Sequence, residues 1–168
     1  MSVARAFAAA PFAVGVRDVR PDPTAVGIFQ DNGFVVRTSD NVAQYCSTRL
    51  GEMLARAGAR LNEPPMAMLE AELLEYNVAE SGAFNGLVRI RAVLRRGSEV
   101  TWTRIFEGTS QRRGRSHSPD NYNEVLSNAF ASVTEQLVRD DDFARALGGQ
   151  PVVGPSPQQL PPPGRSGG

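Results

Sequence analysis

The side chains best suited to chemistry sit in one short run, Ser116-His117-Ser118 with Asp120. A hydroxyl, an imidazole and a carboxylate are the parts of a nucleophile, a base and its orienting group. Reacting groups are normally brought together from separate rigid elements, however, and these are neighbours in sequence. Ser118-Pro119-Asp120 also has a simpler role as a helix start, with a capping hydroxyl, a proline at the first helical position and a carboxylate in the first turn. His117 is the only histidine and Cys46 the only cysteine, which excludes an intramolecular disulfide and argues against a His or Cys metal site. Asp140-Asp-Asp142 lacks the spaced oxygen ligands and the glycine of a calcium loop. Gly148-Gly149 follows a helical stretch instead of preceding one, so no phosphate-cradling loop is present. The residues imply a protein that is not an enzyme and holds no cofactor or metal.

Charge narrows the partners. Eighteen basic and eighteen acidic residues cancel, so no long-range field draws the protein to nucleic acid or an acidic membrane. Every basic residue is arginine. Arg112, Arg113 and Arg115 fall in a polar stretch, Thr109 to Ser118, that reads as a loop. Arg89 and Arg91 alternate with apolar residues and face away from them. These five arginines are the candidate contacts for a partner or an anion.

The elements that must position them are legible from periodicity. Phe12, Val14 and Val16 alternate with Ala13, Gly15 and Arg17, the pattern of a strand that ends before Pro21 and Pro23. Val26–Phe29 and Phe34–Arg37, separated by Gln30-Asp-Asn-Gly33, predict a small hairpin; the loop from Pro21 to Gly33 is a further candidate contact. A helix is expected after Ser39-Asp40, with Val42, Tyr45, Cys46, Leu50, Met53, Leu54 and Ala57 on one face and Gly58 as its left-handed stop. Ala59–Leu61 reads as a short strand.

Three strands then follow in succession from Met66 to Phe106. Ala67, Leu69, Ala71 and Leu73 oppose Glu70 and Glu72, and the phase flips at Leu73-Leu74, which predicts a bulge. Phe84, Val88, Ile90, Ala92 and Leu94 oppose Asn85, Arg89, Arg91 and Arg95. Arg96-Gly97 turns the chain into Val100, Trp102 and Phe106. A second helix carries Tyr122, Val125, Leu126, Ala129, Phe130, Val133 and Leu137 on one stripe, and Asp140-Asp-Asp142 caps a short terminal turn. The expected fold class is α+β: a mostly antiparallel sheet with a three-stranded meander and two helices packed on one face. Residues 1–11 read as a leader remnant or flexible N-terminus, 12–147 as a single domain, and 148–168 as a disordered Pro/Gly-rich tail with a short polyproline run at Pro161-Pro-Pro163.

This order of elements, with Val16-Arg-Asp18-Val-Arg20-Pro21 early and Asn123-Glu-Val-Leu-Ser127-Asn-Ala-Phe130 to Leu137-Val-Arg-Asp140 late, resembles the YajG-type family of bacterial envelope lipoproteins. The first helix, ending in Ala57-Gly-Ala59, fits as well, and the likeness covers about residues 12 to 147. The family is similar in layout to auxiliary lipoproteins of envelope transport systems. The resemblance implies a periplasm-facing, non-enzymatic domain with an envelope protein as partner, lipid as a further ligand, and a tether through an N-terminal lipid. No lipid-accepting cysteine stands near Met1. Either the coding start lies further upstream, or a leader was removed, or the protein is not a lipoprotein. The alternative is a cytoplasmic module that binds anions or phosphate through the Arg-rich loop.

Overall fold

Strands β4 (Ala67–Glu80), β5 (Ala83–Arg96) and β6 (Glu99–Arg113) form the expected antiparallel meander, in a computed structural model that describes residues 3–114 and 118–152. Their tight turns place Gly82 and Gly97 at φ of +64° and +58°, a left-handed conformation that costs glycine nothing. The β4–β5 register slips between Leu73 and Glu75. The bulge read from the phase flip is therefore present, and it lets Leu73 and Tyr76 both point into the core.

The other edge of β4 is shared end to end by two parallel strands. β1 (Phe12–Asp18) pairs with it from Phe12↔Ala67 to Asp18↔Leu73, and β2 (Ala25–Phe29) pairs from Gly27↔Val78 to Phe29↔Glu80. β3 (Phe34–Arg37) closes this side as the antiparallel arm of a hairpin with β2. The sheet is thus a mixed one of six strands, mostly antiparallel, with the order β3-β2-β4-β5-β6 and β1 beside β4.

Both long helices cover the same face. α2 (Val42–Arg56) packs on β1, and α3 (Pro119–Val138) lies across β5 and β6. Between helices and sheet sit Leu69, Leu73, Val88, Ile90, Leu94, Leu50, Leu54, Phe130 and Leu137, none of them exposed. Burying each of these side chains is worth about 1.5–3 kcal/mol before chain entropy is subtracted. The approach of α3 is close enough to require glycine. A Cβ on Gly108 would stand 2.1 Å from the Ala129 carbonyl oxygen, and one on Gly86 2.3 Å from Val125 Cγ1.

Several local expectations change. The α2 cap is Asn41, whose side chain accepts a hydrogen bond from Gln44 N, and not Ser39 or Asp40. Ala59–Leu61 is not a strand. Thr109–Arg113 is not loop but the end of β6, paired as far as Ala83↔Arg113. Its polar side chains suit an edge strand with one wet side, a pattern that single-sequence periodicity does not separate from a loop. Ser118 and Asp140 cap α3 and α4 (Asp141–Leu147) as read.

Residues 1–11, read as a leader remnant or flexible, contain helix α1 (Val3–Ala9), with Ala6 and Phe7 fully buried. Phe7 joins a ring cluster with Phe12 (centroids 5.7 Å apart) and Phe143 (6.0 Å), and Trp102 lies tilted against Phe143 at 5.1 Å. Apolar contact with α4 holds this segment, which its alanine-rich sequence concealed. Val152 also packs, half-buried, against the core. The Pro/Gly-rich tail and its polyproline run fall largely on residues 153–168, outside the described residues, and Arg115, Ser116 and His117 lie outside them too.

Candidate functional site: an aromatic groove and a charged sheet face

The face of the sheet opposite the helices carries the arginine row. Arg91 donates to Glu72 Oε2 at 2.8 Å, and Arg17 of β1 reaches the other oxygen of the same carboxylate. Arg89 donates to Glu75 at 3.0 Å and to Glu107 at 2.6 Å. Burial works against ionisation of Glu72, but the hydrogen bonds from Arg17 and Arg91 prevail and hold its carboxyl below the usual range. Exposed pairs of this kind contribute about 0–1 kcal/mol each. Arg112 is paired with Glu124 at the start of α3, and Arg113 lies exposed at the end of β6. The structure does not bring the four described candidate arginines together: Arg89 and Arg91 lie mid-sheet, Arg112 and Arg113 at the far end of β6.

The Asp18–Arg20 segment has a structural role. Arg20 Nε and Nη2 donate to the two oxygens of Asp18 at 2.9 and 2.7 Å. Its remaining N–H groups reach the carbonyls of Pro23, Ala25 and Tyr76 at 2.7, 2.6 and 3.0 Å. The guanidinium stacks over the Tyr76 ring, 5.6 Å from its centroid. All five guanidinium donors are used, and the Pro21–Thr24 connection is fixed to β4.

The β2–β3 hairpin, α2 and α3 wall off a groove. Its outer half, about 510 Å³, is lined by Phe29, Phe34, Val36, Arg37 and Pro119 together with shared residues. Its inner half, about 430 Å³, is lined by Val42, Tyr45, Tyr76, Leu126 and Ser127. Val26, Thr38, Asp40, Tyr122 and Asn123 belong to both halves, so the two adjoin. The chain has three tyrosines, and all three converge here from α2, β4 and α3.

Each tyrosine is placed by a specific contact. Tyr122 lies on Gly27, where a Cβ would stand 2.4 Å from its ring, and its hydroxyl donates to buried Glu80 at 2.7 Å. Burial and that hydrogen bond raise the Tyr122 phenol above its ordinary value. Burial also raises Tyr76. Tyr45, read as part of the buried stripe of α2, is 43% exposed and shares a 2.8 Å hydrogen bond with Ser127 across the inner half. Phe34 is 65% exposed on β3. Arg37 at the rim is held by Asp22 at 3.0 Å, whereas the Asp40 carboxylate has no cation within salt-bridge distance among the described residues. The groove presents aromatic rings, amides and hydroxyls, with charge at its rim. It offers binding area with orienting hydrogen bonds.

Sequence reasoning missed this site because no segment announces it. The signal was present only as three tyrosines, each of which read separately as part of an apolar stripe, and two phenylalanines of the predicted hairpin. Among the described residues no cluster of three or more His, Cys, Asp or Glu is arranged to hold a metal ion, and no helix is long and apolar enough to cross a membrane.

No family model matches the chain, and no curated protein does. Solved structures share its fold. A Xanthomonas campestris protein of family DUF330 superimposes with a TM-score of 0.58 at 14% identity, covering 78% of this chain and 85% of that one. A Caulobacter crescentus protein described as a candidate lipoprotein superimposes with a TM-score of 0.52 at 13% identity, covering 67% of this chain and 88% of the other. PelC from Paraburkholderia phytofirmans, a dodecamer, aligns with a TM-score of 0.43 at 14% identity over 78% of this chain and 90% of its own. The α+β fold is therefore one that occurs in DUF330 and in lipoprotein-type domains.

Proposed function

We propose that this chain is a non-catalytic binding subunit of the bacterial cell envelope, a periplasm-facing domain of the YajG-like lipoprotein type. The observation that carries the reading is the groove between the β2–β3 hairpin, α2 and α3. Its rings and amides provide contact area and orientation, and the Tyr122 hydroxyl is held by the buried Glu80 carboxylate. Fold likeness to a DUF330 protein and to a candidate lipoprotein supports an envelope setting. An extended segment of a protein partner suits the groove, and lipid is a further ligand under the same reading. Arg89 and Arg91 on the open sheet face and, apart from them, Arg112 and Arg113 at the end of β6 are further candidate contacts, as is Arg115, which lies outside the described residues. Attachment to the membrane through an N-terminal lipid belongs to the proposal, as does placement at the outer membrane.

Location tests it first. The protein, followed in its native bacterium by an antibody, is expected in the envelope fraction and is expected to become protease-sensitive once the outer membrane is permeabilised. Protection until the inner membrane is lysed, with recovery in the cytosol, would refute the envelope assignment and favour the cytoplasmic anion-binding alternative.

A further inference from the structure

β6 ends the sheet at the side away from the groove, and its outer edge is unpaired among the described residues. We propose that two copies of this chain join there, β6 to β6 in antiparallel pairing about a two-fold axis at Ile105, so that their six-stranded sheets become one. The inference goes beyond the groove and does not depend on it.

Backbone direction comes first. In an antiparallel ladder one residue turns both its N–H and its C=O to one neighbour, and the next residue turns both to the other side. Gln136 of α3 donates to the Glu107 carbonyl at 2.7 Å, which marks Glu107 as a residue whose backbone is turned off the sheet. From Trp102 to Arg113 the pairing with β5 runs without a slip, so Thr103, Ile105, Thr109 and Gln111 are turned the same way. No other hydrogen bond from outside the sheet reaches their backbone among the described residues. A carbonyl accepts two bonds, so Gln136 stays in place when a strand is added.

The usual guards of an edge are missing or turned inward. Prolines and outward charges keep edge strands from pairing. No proline stands between Trp102 and Arg113. Arg104 is drawn to Asp140 and Asp142, Glu107 to Arg89 of β5, and Arg112 to Glu124 of α3. Ile105, in their midst, is 53% exposed.

The side chains select the occupant and its register. Trp102, Phe106 and Gly108 are buried on the helix side, so Thr103, Ile105, Glu107, Thr109 and Gln111 line the open face. Ile105 is the one apolar residue of that row, and in a β6–β6 pairing its apolar match is itself. An axis at Ile105 sets the two isoleucines together, Arg104 against Phe106 and Glu107 against Thr103 of the second copy, with no like charges opposed. An axis at Arg104 or Glu107 would set that charge on itself, one at Gly108 would oppose Arg104 and Arg112, and one at Phe106 would set Ile105 against Glu107. The contact is isologous and closes at two copies. Both grooves stay open, at the outer ends of the joined sheet.

Sedimentation equilibrium of the full chain over a hundredfold concentration range tests it. The parent is expected to pass from monomer to dimer and Ile105→Glu to stay monomeric. Met66→Glu, at an exposed site ahead of β4, should behave as the parent. Register is read by oxidising the single variants Thr103→Cys, Ile105→Cys, Glu107→Cys and Thr109→Cys; Cys46 is buried and stays out of the reaction. Hydrogen-bonded residues opposed in such a ladder stand about 5.5 Å apart, within disulfide reach. Only the residue on the axis meets its own copy, so Ile105→Cys should cross-link and the other three should not. A parent that stays monomeric throughout, a dimer that survives Ile105→Glu, or cross-linking strongest at another position would each overturn the proposal. An empty groove or a protein found outside the envelope would leave these results unchanged, so the two readings fail separately.

Discussion

Asp18 and Arg20, two residues apart, are joined by paired hydrogen bonds of 2.9 and 2.7 Å, with only 9% and 7% of their side chains exposed. The pair, with three backbone carbonyls, anchors the connection that leads into the groove hairpin. Removing one partner strands the other charge. Arg20→Met is therefore expected to destabilise the fold by about 3–5 kcal/mol, as breaking buried pairs does. Arg20→Lys should recover only part of this, because an ammonium cannot reproduce the fork. Chemical denaturation of the three proteins measures it; an Arg20→Met midpoint equal to that of the parent would contradict the role.

The contact of α3 with the sheet depends on two glycines. Gly108→Ala forces a methyl against the Ala129 backbone at 2.1 Å, and the cost should be at least about 1–3 kcal/mol. Gly51→Ala serves as the contrast. Gly51 lies inside α2 with its nearest neighbours at 3.8 and 3.9 Å, so alanine should stabilise by about 0.5–1 kcal/mol. Opposite changes in thermal midpoint are the expected result, and equal changes would place α3 elsewhere.

Much of this architecture was legible because it is local. The bulge at Leu73–Glu75, the outward arginines of β5 and the Ser118-Pro119 helix start each depend on residues close in sequence. The parallel pairing of β1 and β2 with β4 joins segments about fifty residues apart, and no periodicity records which strand lies beside which. α1 was missed because helix–helix contact, and not its own pattern, orders it. The groove was missed for a related reason: Tyr45 and Tyr122 obey the spacing of helix stripes, and only the third dimension shows that one lies half in solvent and the other on Gly27.

Acid should weaken the open face of the sheet. Hydrogen bonds from Arg17 and Arg91 outweigh the effect of burial and lower the Glu72 carboxyl from its ordinary 4.5. A depressed folded-state value means the stabilisation is complete above that ordinary value and disappears as pH falls through the lowered one. The R17A/R91A double variant should thus be less stable than the parent at neutral pH, with the gap closing at the acid end. Thermal midpoints across the pH range check this; a gap that widens in acid would contradict it.

Cys46 is fully buried in α2 and its thiol is pushed up to about 12, chiefly by burial. Thiolate is the reactive form, so an aromatic disulfide reagent should leave the native protein unmodified and react in full once denaturant unfolds it. Rapid native labelling would show that α2 does not cover the sheet as described.

The groove carries the central claim, and position-specific crosslinking tests it most directly. A photoreactive phenylalanine derivative is placed at Phe34 or Tyr45 on the groove, at Ile105 on the opposite sheet face, or at Arg139 beyond α3, in cells of the native bacterium. The account predicts one defined protein adduct from Phe34 and Tyr45 in the envelope fraction and none from Arg139. Adducts from Ile105 alone, with the groove positions silent, would contradict it.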